Sequence, residues 1–291
     1  MGRLTGWRFP KLLMMTDLKV VKHIDEIQVS IQSVKNYHKS FLTNFFPETF
    51  KHGIWIEKNE LELIMIRETY FLIYSDDGFK RLFYISSGLT ELTESLDILK
   101  NKYHDEKYVA DLVGKGDMLN DICSVFLNTG FTLYSSLTRM SSTKYPVLKA
   151  IDLCVDFADI SEVLLVDSLF KQYFDKYTEQ LPLIEELKSW IEKKQILVYR
   201  SGKEIGGFLI FDKTNSTAYL RYWFVHPNFR DLKIGSKLIN QFFIENKDAI
   251  RILFWVIETN ENAIKRYKHY GFQAEELRDI VLTYNIPLNE R

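Results

Sequence analysis

Val225-His226-Pro227-Asn228-Phe229-Arg230-Asp231-Leu232-Lys233-Ile234-Gly235-Ser236-Lys237-Leu238 is the stretch on which the reading of this chain turns. The aromatic-rich run Thr217–Val225 reads as a strand, and His226-Pro227-Asn228 stops it. Helical periodicity then runs from Ile234 to Asn246 through Leu238, Ile239, Phe242 and Phe243. The order is therefore strand, short basic turn, helix. A helix N-terminus offers unpaired N–H groups and partial positive charge, which suit a phosphate. Arg230 and Lys233 add charge, and Gly235 lets backbone approach an anion closely. An ordinary strand-to-helix turn has the same outline, so this segment alone leaves both readings open.

A second segment, Asn260-Glu261-Asn262-Ala263-Ile264-Lys265-Arg266-Tyr267-Lys268-His269-Tyr270-Gly271-Phe272, follows after one helix and the buried strand Ile250–Ile257. Together the two resemble the GNAT (GCN5-related N-acetyltransferase) superfamily. The first is similar to its acyl-CoA pyrophosphate loop, R/Q-x-x-G-x-G/A. The second is similar to its N-x-x-A-x-x-x-Y-x-x-x-G-F helix, matched at Asn260, Ala263, Tyr267, Gly271 and Phe272. One position departs: Lys233 stands where the loop pattern has its first glycine. A position needing positive φ would suit Lys less than Gly, whereas a helical one would accept it.

The resemblance implies acetyl-CoA as co-substrate, no metal, and direct attack of a primary amine on the thioester. It implies cofactor contacts from Phe224 and Val225 on the strand, from Arg230, Asp231, Leu232, Lys233, Ile234, Gly235 and Ser236 in the loop, and from Asn260 and Ala263 on the later helix. A splay between Tyr222–Val225 and Ile250–Ile257 would admit the thioester. Tyr267 is the implied general acid toward the leaving thiolate. Glu258, His226 and Tyr222 are the candidate bases, with Glu258, just after the buried strand, a little better placed, and an ordered water is the alternative to all three.

Upstream, Ala150–Val155 reads as a strand, Asp159 as a cap on a helix reaching Tyr173, Ile184–Lys194 as an amphipathic helix, and Ile196–Tyr199 and Glu204–Phe211 as strands around Ser201-Gly202-Lys203. Leu277–Tyr284 reads as the last strand. In the first half Leu18–Val21 reads as a strand and Ile24–Phe45 as largely helical. Leu61–Ile66, Tyr70–Tyr74 and Arg81–Ser86 read as strands, Glu91–Tyr103 and Met118–Leu127 as helices, and Thr132–Arg139 as a strand. Gly130-Phe131 repeats Gly271-Phe272 at an offset of 271 − 130 = 141 residues. The expectation is an α/β chain of two tandem GNAT-like domains, each a twisted, mostly antiparallel sheet flanked by helices. Residues 1–14 form an extension, 15–140 a degenerate domain, 141–149 a linker and 150–291 the acetyltransferase domain. The first domain has no equivalent loop: Ser87-Gly88-Leu89-Thr90-Glu91 lacks basic residues, and Glu91 and Glu94 would repel phosphate.

Bulk composition limits the partners. With 38 basic and 39 acidic side chains the net charge is −1, so no strong field points to nucleic acid or an anionic membrane. Two cysteines, Cys123 and Cys154, make no disulfide framework and no zinc motif. No apolar run reaches the ~18 residues of a membrane helix. These observations favour a cytoplasmic protein, and the resemblance implies a small-molecule or peptide amine as acceptor, without saying which. Two other readings stand beside it: a non-catalytic acyl-CoA sensor or scaffold, and an aminoacyl transferase of the tandem peptidoglycan-bridge type.

Overall fold

Leu61–Ile66 and Thr69–Asp76 are near-continuous apolar runs, and they pair in an antiparallel hairpin buried on both faces, with Leu63 and Leu72 on one and Ile64 and Phe71 on the other. The computed structural model describes residues 15–38, 40–144, 146, 150, 152–202 and 204–287. The expected extension 1–14, most of the latter part of the expected linker, and Lys203 of the expected turn lie outside the described residues. The chain divides into two units. One gathers residues up to Leu112, Asp117–Leu133 and the chain from Leu282 on; the other gathers Val113–Gly116 and Tyr134–Val281.

In the first unit β1 (Lys19–Val20), α1 (Ile24–Tyr37), β2 (Leu42–Thr43) and α2 (Thr49–Glu57) lead into β3 (Leu61–Ile66), β4 (Thr69–Asp76) and β5 (Phe79–Ser86). Then come α3 (Leu89–Lys102), β6 (Tyr108–Gly114) and α4 (Gly116–Asn128). The strand order is β1-β3-β4-β5-β6, with β2 on β5. β4 and β5 join through Asp77-Gly78, where Gly78 has φ 80°. β5 pairs with β6 in parallel at only two positions, Lys80↔Tyr108 and Arg81↔Val109. The Arg81 guanidinium lies buried between Asp76 (3.1 Å) and Asp111 (3.3 Å).

The second unit contains most of β7 (Thr132–Ser142), then β8 (Val155–Phe157), a 3-10 turn, α5 (Val163–Tyr173) and α6 (Ile184–Glu192). β9 (Ile196–Ser201), β10 (Glu204–Thr214), β11 (Thr217–Val225), α7 (Ile234–Glu245), β12 (Arg251–Ile257), α8 (Glu261–His269) and β13 (Gln273–Tyr284) follow. Its strand order is β13-β7-β12-β11-β10-β9-β8. Alternation on β9 and β10 sorts two cores. Leu197, Tyr199, Leu209 and Phe211 pack toward Leu238, Phe242 and Phe243 of α7. Val198, Phe208 and Ile210 pack toward Val166 and Phe170 of α5 and Leu187 of α6.

Several expected elements move. Extended helix to Phe45 gives way at Tyr37, because Thr43 and Asn44 turn their side chains to β5, where Thr43 Oγ1 donates to Tyr84 O (2.6 Å). α2 and β6 were not expected. α2 carries Gly53, which argues locally against helix, and β6 is short and buried along most of its length. The strand expected at Ala150–Val155 begins at Val155. Asp159 does cap the following turn, accepting from Ser161 N (2.9 Å).

The division of the chain also departs from a cut at 141–149. β7 pairs with β12 from Leu137↔Ile257 to Ser142↔Ile252, so residues 134–142 belong with the second unit. A fragment starting at residue 146 would strip β12 of that partner and part β12 from β13. It is expected to be aggregated or loosely folded, whereas one starting at residue 132 keeps the pairing and should retain more near-UV dichroism. Size exclusion and circular dichroism of the two fragments check this.

Candidate functional site

Parallel pairing of β11 with β12 starts at Thr217↔Arg251 and ends at Tyr219↔Leu253, although β11 continues to Val225 and β12 to Ile257. The two strands therefore part. On the β10 side, Tyr222 pairs with Ile210 and Leu220 with Phe211, which leaves Arg221 as the extra residue of a bulge two positions past the last pair with β12. β12 itself is paired along its other edge with β7, without a break in register, from Ile252 to Ile257.

A groove of about 630 Å³ opens at the parting. Val225 of β11 lines it, with Lys233, Ile234, Gly235 and Ser236 at the start of α7. Asn260, Ala263 and Tyr267 line it from α8. Trp223, on the same strand face as Val225 and within the expected strand Tyr222–Val225, also lines it, as do Asn262 and Arg266, which were not read from the sequence. Four expected residues with described side chains are not among its lining residues. Phe224 points to the opposite face, packing on Phe208 (5.3 Å) and Tyr173 (5.1 Å). Asp231 and Leu232 lie in the preceding 3-10 turn, as does the backbone of Arg230, whose side chain lies outside what is described. Glu258 lies beyond the end of β12.

Lys233 has φ 55° and ψ 28°, the left-handed region, and stands as the N-cap of α7. This settles why glycine suits the position: an L-residue there costs roughly 1–2 kcal/mol. After it, the geometry of a helix start leaves the N–H groups of Ile234, Gly235 and Ser236 without partners inside the helix, the first closed bond being Lys237 N to Lys233 O (3.2 Å). A Cβ on Gly235 would stand 3.4 Å from both Trp223 and Val225, so the glycine allows α7 to lie close on β11.

These residues fit an acyl-CoA. Free N–H groups at the start of a 12-residue helix, with Lys233 and Arg266 beside them, suit a pyrophosphate. The Trp223 Nε1–H is buried without a hydrogen-bond partner among the described residues, on the wall of the groove. The groove volume lies within the usual range of ligand sites, about 300–1,000 Å³. No group of three or more His, Cys, Asp or Glu among the described residues is placed to hold a metal.

The ionisable candidates differ in availability. The Tyr267 ring packs edge-on to Phe254 (4.6 Å) and against Trp223 (5.5 Å), and burial pushes its phenol up to about 12. Asn260 caps α8, its Oδ1 accepting from Ala263 N (3.1 Å). Glu258 departs from the role expected of it. Arg278 grips both of its oxygens (2.8 and 2.9 Å), and that guanidinium holds its carboxyl below the usual range, so it is a weak and occupied base. Both ring nitrogens of His226 are engaged, Nδ1 with Asn228 N (3.2 Å) and Nε2 with Tyr173 Oη (3.0 Å). Tyr222 Oη donates to Gln180 O (2.5 Å).

The first unit parts its strands in the same way but fills the gap from within. Beyond Arg81↔Val109, Asn44 Nδ2 donates both to Leu82 O of β5 (3.1 Å) and to Asp111 O of β6 (3.1 Å), while its Oδ1 accepts from Tyr84 N (2.7 Å). β2 covers the rest of that edge at Leu42↔Ser86 and Thr43↔Ile85. Helix ends match as well. Phe131 N bonds to Phe126 O and Phe272 N to Tyr267 O, each at 3.1 Å, around Gly130 (φ 95°) and Gly271 (φ 89°). At the 141-residue offset, Phe126 stands where α8 has Tyr267.

Relief of backbone strain makes one outcome measurable. Lys233→Gly is expected to stabilise the fold by about 0.5–1 kcal/mol, while Lys233→Ala, still left-handed, does not; denaturant midpoints of the two variants check this.

The Acetyltransferase (GNAT) family model matches residues 164–272. A search of curated proteins finds no match. Solved structures with similar folds include a GNAT-family acetyltransferase from Colwellia psychrerythraea, 13% identical, with TM-score 0.57 over 92% of this chain and 99% of that one. A tandem GNAT protein from the clavulanic acid biosynthesis pathway is 10% identical, with TM-score 0.54 over 92% and 98%. A GCN5-related N-acetyltransferase from Sphaerobacter thermophilus is 11% identical, with TM-score 0.55 over 77% and 80%. Residues 164–272 of this chain are thus a GNAT acetyltransferase-family domain, within a fold shared along nearly its whole length with a tandem GNAT protein.

Proposed function

We propose that the chain is an N-acetyltransferase that moves an acetyl group from acetyl-CoA to a primary amine, at the groove of the second unit alone. The observation that carries this reading is the parting of β11 from β12 beside the bare N-terminus of α7. Acetyl-CoA supplies the activated thioester carbonyl. The N–H groups of Ile234–Ser236, with Lys233 and Arg266, hold the pyrophosphate. The unpaired edge of β11 up to Val225 holds the arm and presents backbone N–H toward the carbonyl oxygen. Asn260 and Ala263 bound the arm from the α8 side.

Tyr267 faces the sulfur as hydrogen-bond donor. A phenol at about 12 sits well above a thiol near 8.5, so complete transfer of its proton would be uphill by roughly 5 kcal/mol. Its role is to stabilise the thiolate charge as it develops, and it stays protonated throughout the physiological range. In the first unit Asn44 and β2 occupy the equivalent edge, and Phe126 replaces the phenol. That unit is read as a GNAT-like fold without cofactor binding.

The acceptor is a small-molecule or peptide amine, and the near-zero net charge argues against tRNA as the donor. A non-catalytic sensor would bind CoA without releasing thiol. The test is calorimetry with acetyl-CoA followed by thiol release with a panel: an alkylamine, a phenethylamine, an amino sugar, an amino acid and a short peptide with a free N-terminus. One site per chain and thiol release with at least one amine are expected. Two sites, or binding without release in every case, would refute the reading.

Tyr267→Phe keeps the ring contacts with Trp223 and Phe254 and removes only the donor. Its kcat is expected to fall about 10²-fold with CoA affinity unchanged, and parental turnover would make Tyr267 a packing residue.

A further inference from the structure

The segment between α5 and α6 is fastened to both strands that flank β12. β7, β12 and β11 are neighbours in that order. On β11, Tyr222 Oη donates to Gln180 O (2.5 Å) and the Tyr222 ring meets Phe174 edge-on (5.9 Å). On β7, beyond β12, Tyr134 Oη donates to Asp175 Oδ2 (2.5 Å) and its ring meets Tyr177 (5.6 Å). A segment held at once by β7 and β11 passes over the C-terminal end of β12, where that strand has left β11. Inside it, Asp175 Oδ1 accepts from Tyr177 N (2.8 Å) and Thr178 N (3.0 Å), and Glu179 N donates to Asp175 O (2.9 Å). Tyr177 and Thr178 are buried, so the turn is fixed and Glu179 is carried on it, half-buried. Its charge reaches Tyr267 on the groove wall.

We propose that Glu179 is the catalytic base of the acyl transfer, receiving the proton of the acceptor's ammonium at the open end of the groove. This rests on the acyltransferase reading above. The other carboxylate near the strand ends, Glu258, is locked by Arg278, and His226 and Tyr222 are engaged elsewhere. Glu179 titrates at about 7, raised first by burial and then by Asp175, where a base can both accept and release a proton near neutrality. The ionisable groups around it are Asp175 on its own turn, Tyr134 from β7, Tyr222 from β11 and Tyr267 from α8, the last beside Arg266.

The protons balance. An ammonium carries three and the product amide one. Glu179 takes the first, which frees the nitrogen lone pair. The C–N bond forms, the C–S bond breaks and its electron pair leaves on sulfur. The second proton lost from nitrogen ends on that sulfur, while Glu179 returns its own to water.

The test compares the full-length parent with Glu179→Gln, using acetyl-CoA and the panel amine that turns over best. Near pH 7 kcat/KM of the variant is expected to fall about 10²–10³-fold, and the gap should narrow as pH rises and the amine deprotonates by itself. Acetyl-CoA affinity by calorimetry should stay within about twofold. In the protein without ligand, carbon-13 NMR of labelled glutamate, with the Glu179 signal assigned by its loss in the variant, should titrate near 7. Equal turnover, a loss that is the same at every pH, or a carbon-13 midpoint below about 5 would overturn the proposal. If the parent releases no thiol with any amine, the acyltransferase reading itself fails, whatever Glu179 does.

Discussion

Two parallel strands that separate after three paired residues leave backbone donors and acceptors that something must satisfy. Much of the second unit follows from that constraint. The Arg221 bulge redirects β11, β7 holds β12 along its other edge, and the gap between them becomes the groove. The first unit meets the same constraint with its own side chain. One asparagine amide makes three hydrogen bonds to backbone across the gap, and a two-residue strand covers what is left. The same divergence is thus a site in one unit and a sealed seam in the other. What differs is whether the chain before it brings an amide to the gap.

Order along α7 and α8 supports the groove from both sides. α7 starts abruptly because Lys233 accepts a left-handed backbone, which aims the first N–H groups into the groove. α8 starts with the Asn260 cap and ends in a glycine-based cap, so Tyr267 and Asn260 face the same cavity two turns apart. Tyr270 Oη to Ser236 Oγ (3.3 Å) ties the two helices together beside it. The aromatic wall of Trp223, Phe254 and Tyr267 raises the phenol's affinity for its proton, so the same packing that positions the donor also keeps it protonated.

Much of this was legible in the residues. Strand alternation, the Pro227 stop and the Gly271-Phe272 helix end gave the element order of the second unit, and the Asn260–Phe272 motif put Asn260, Ala263 and Tyr267 on one wall. Where reading failed, tertiary contacts had overridden local signals. Phe224 looks like its neighbours, but alternation turns it to the other core. Glu258 looked available because its partner, Arg278, lies 20 residues on. Glu179 gives no periodic or motif signal at all. It matters only because Tyr134 and Tyr222, from distant strands, fasten its turn over the groove. α2 and β6 escaped notice because a helix with an internal glycine and a short buried strand lack a clear period.

The exchange of segments between units bears on how the chain reaches this fold. Residues 134–142 belong with the second unit, and the chain from Leu282, made about 140 residues later, belongs with the first. During synthesis the first unit therefore waits for residues past Leu282 before it is complete, and β7 waits more than a hundred residues for β12. Such distant pairings slow folding and leave strand edges bare in the interval. A ribosome-bound chain would hold both halves unfinished until the residues past Leu282 have been made, so the two units should mature together and not in succession.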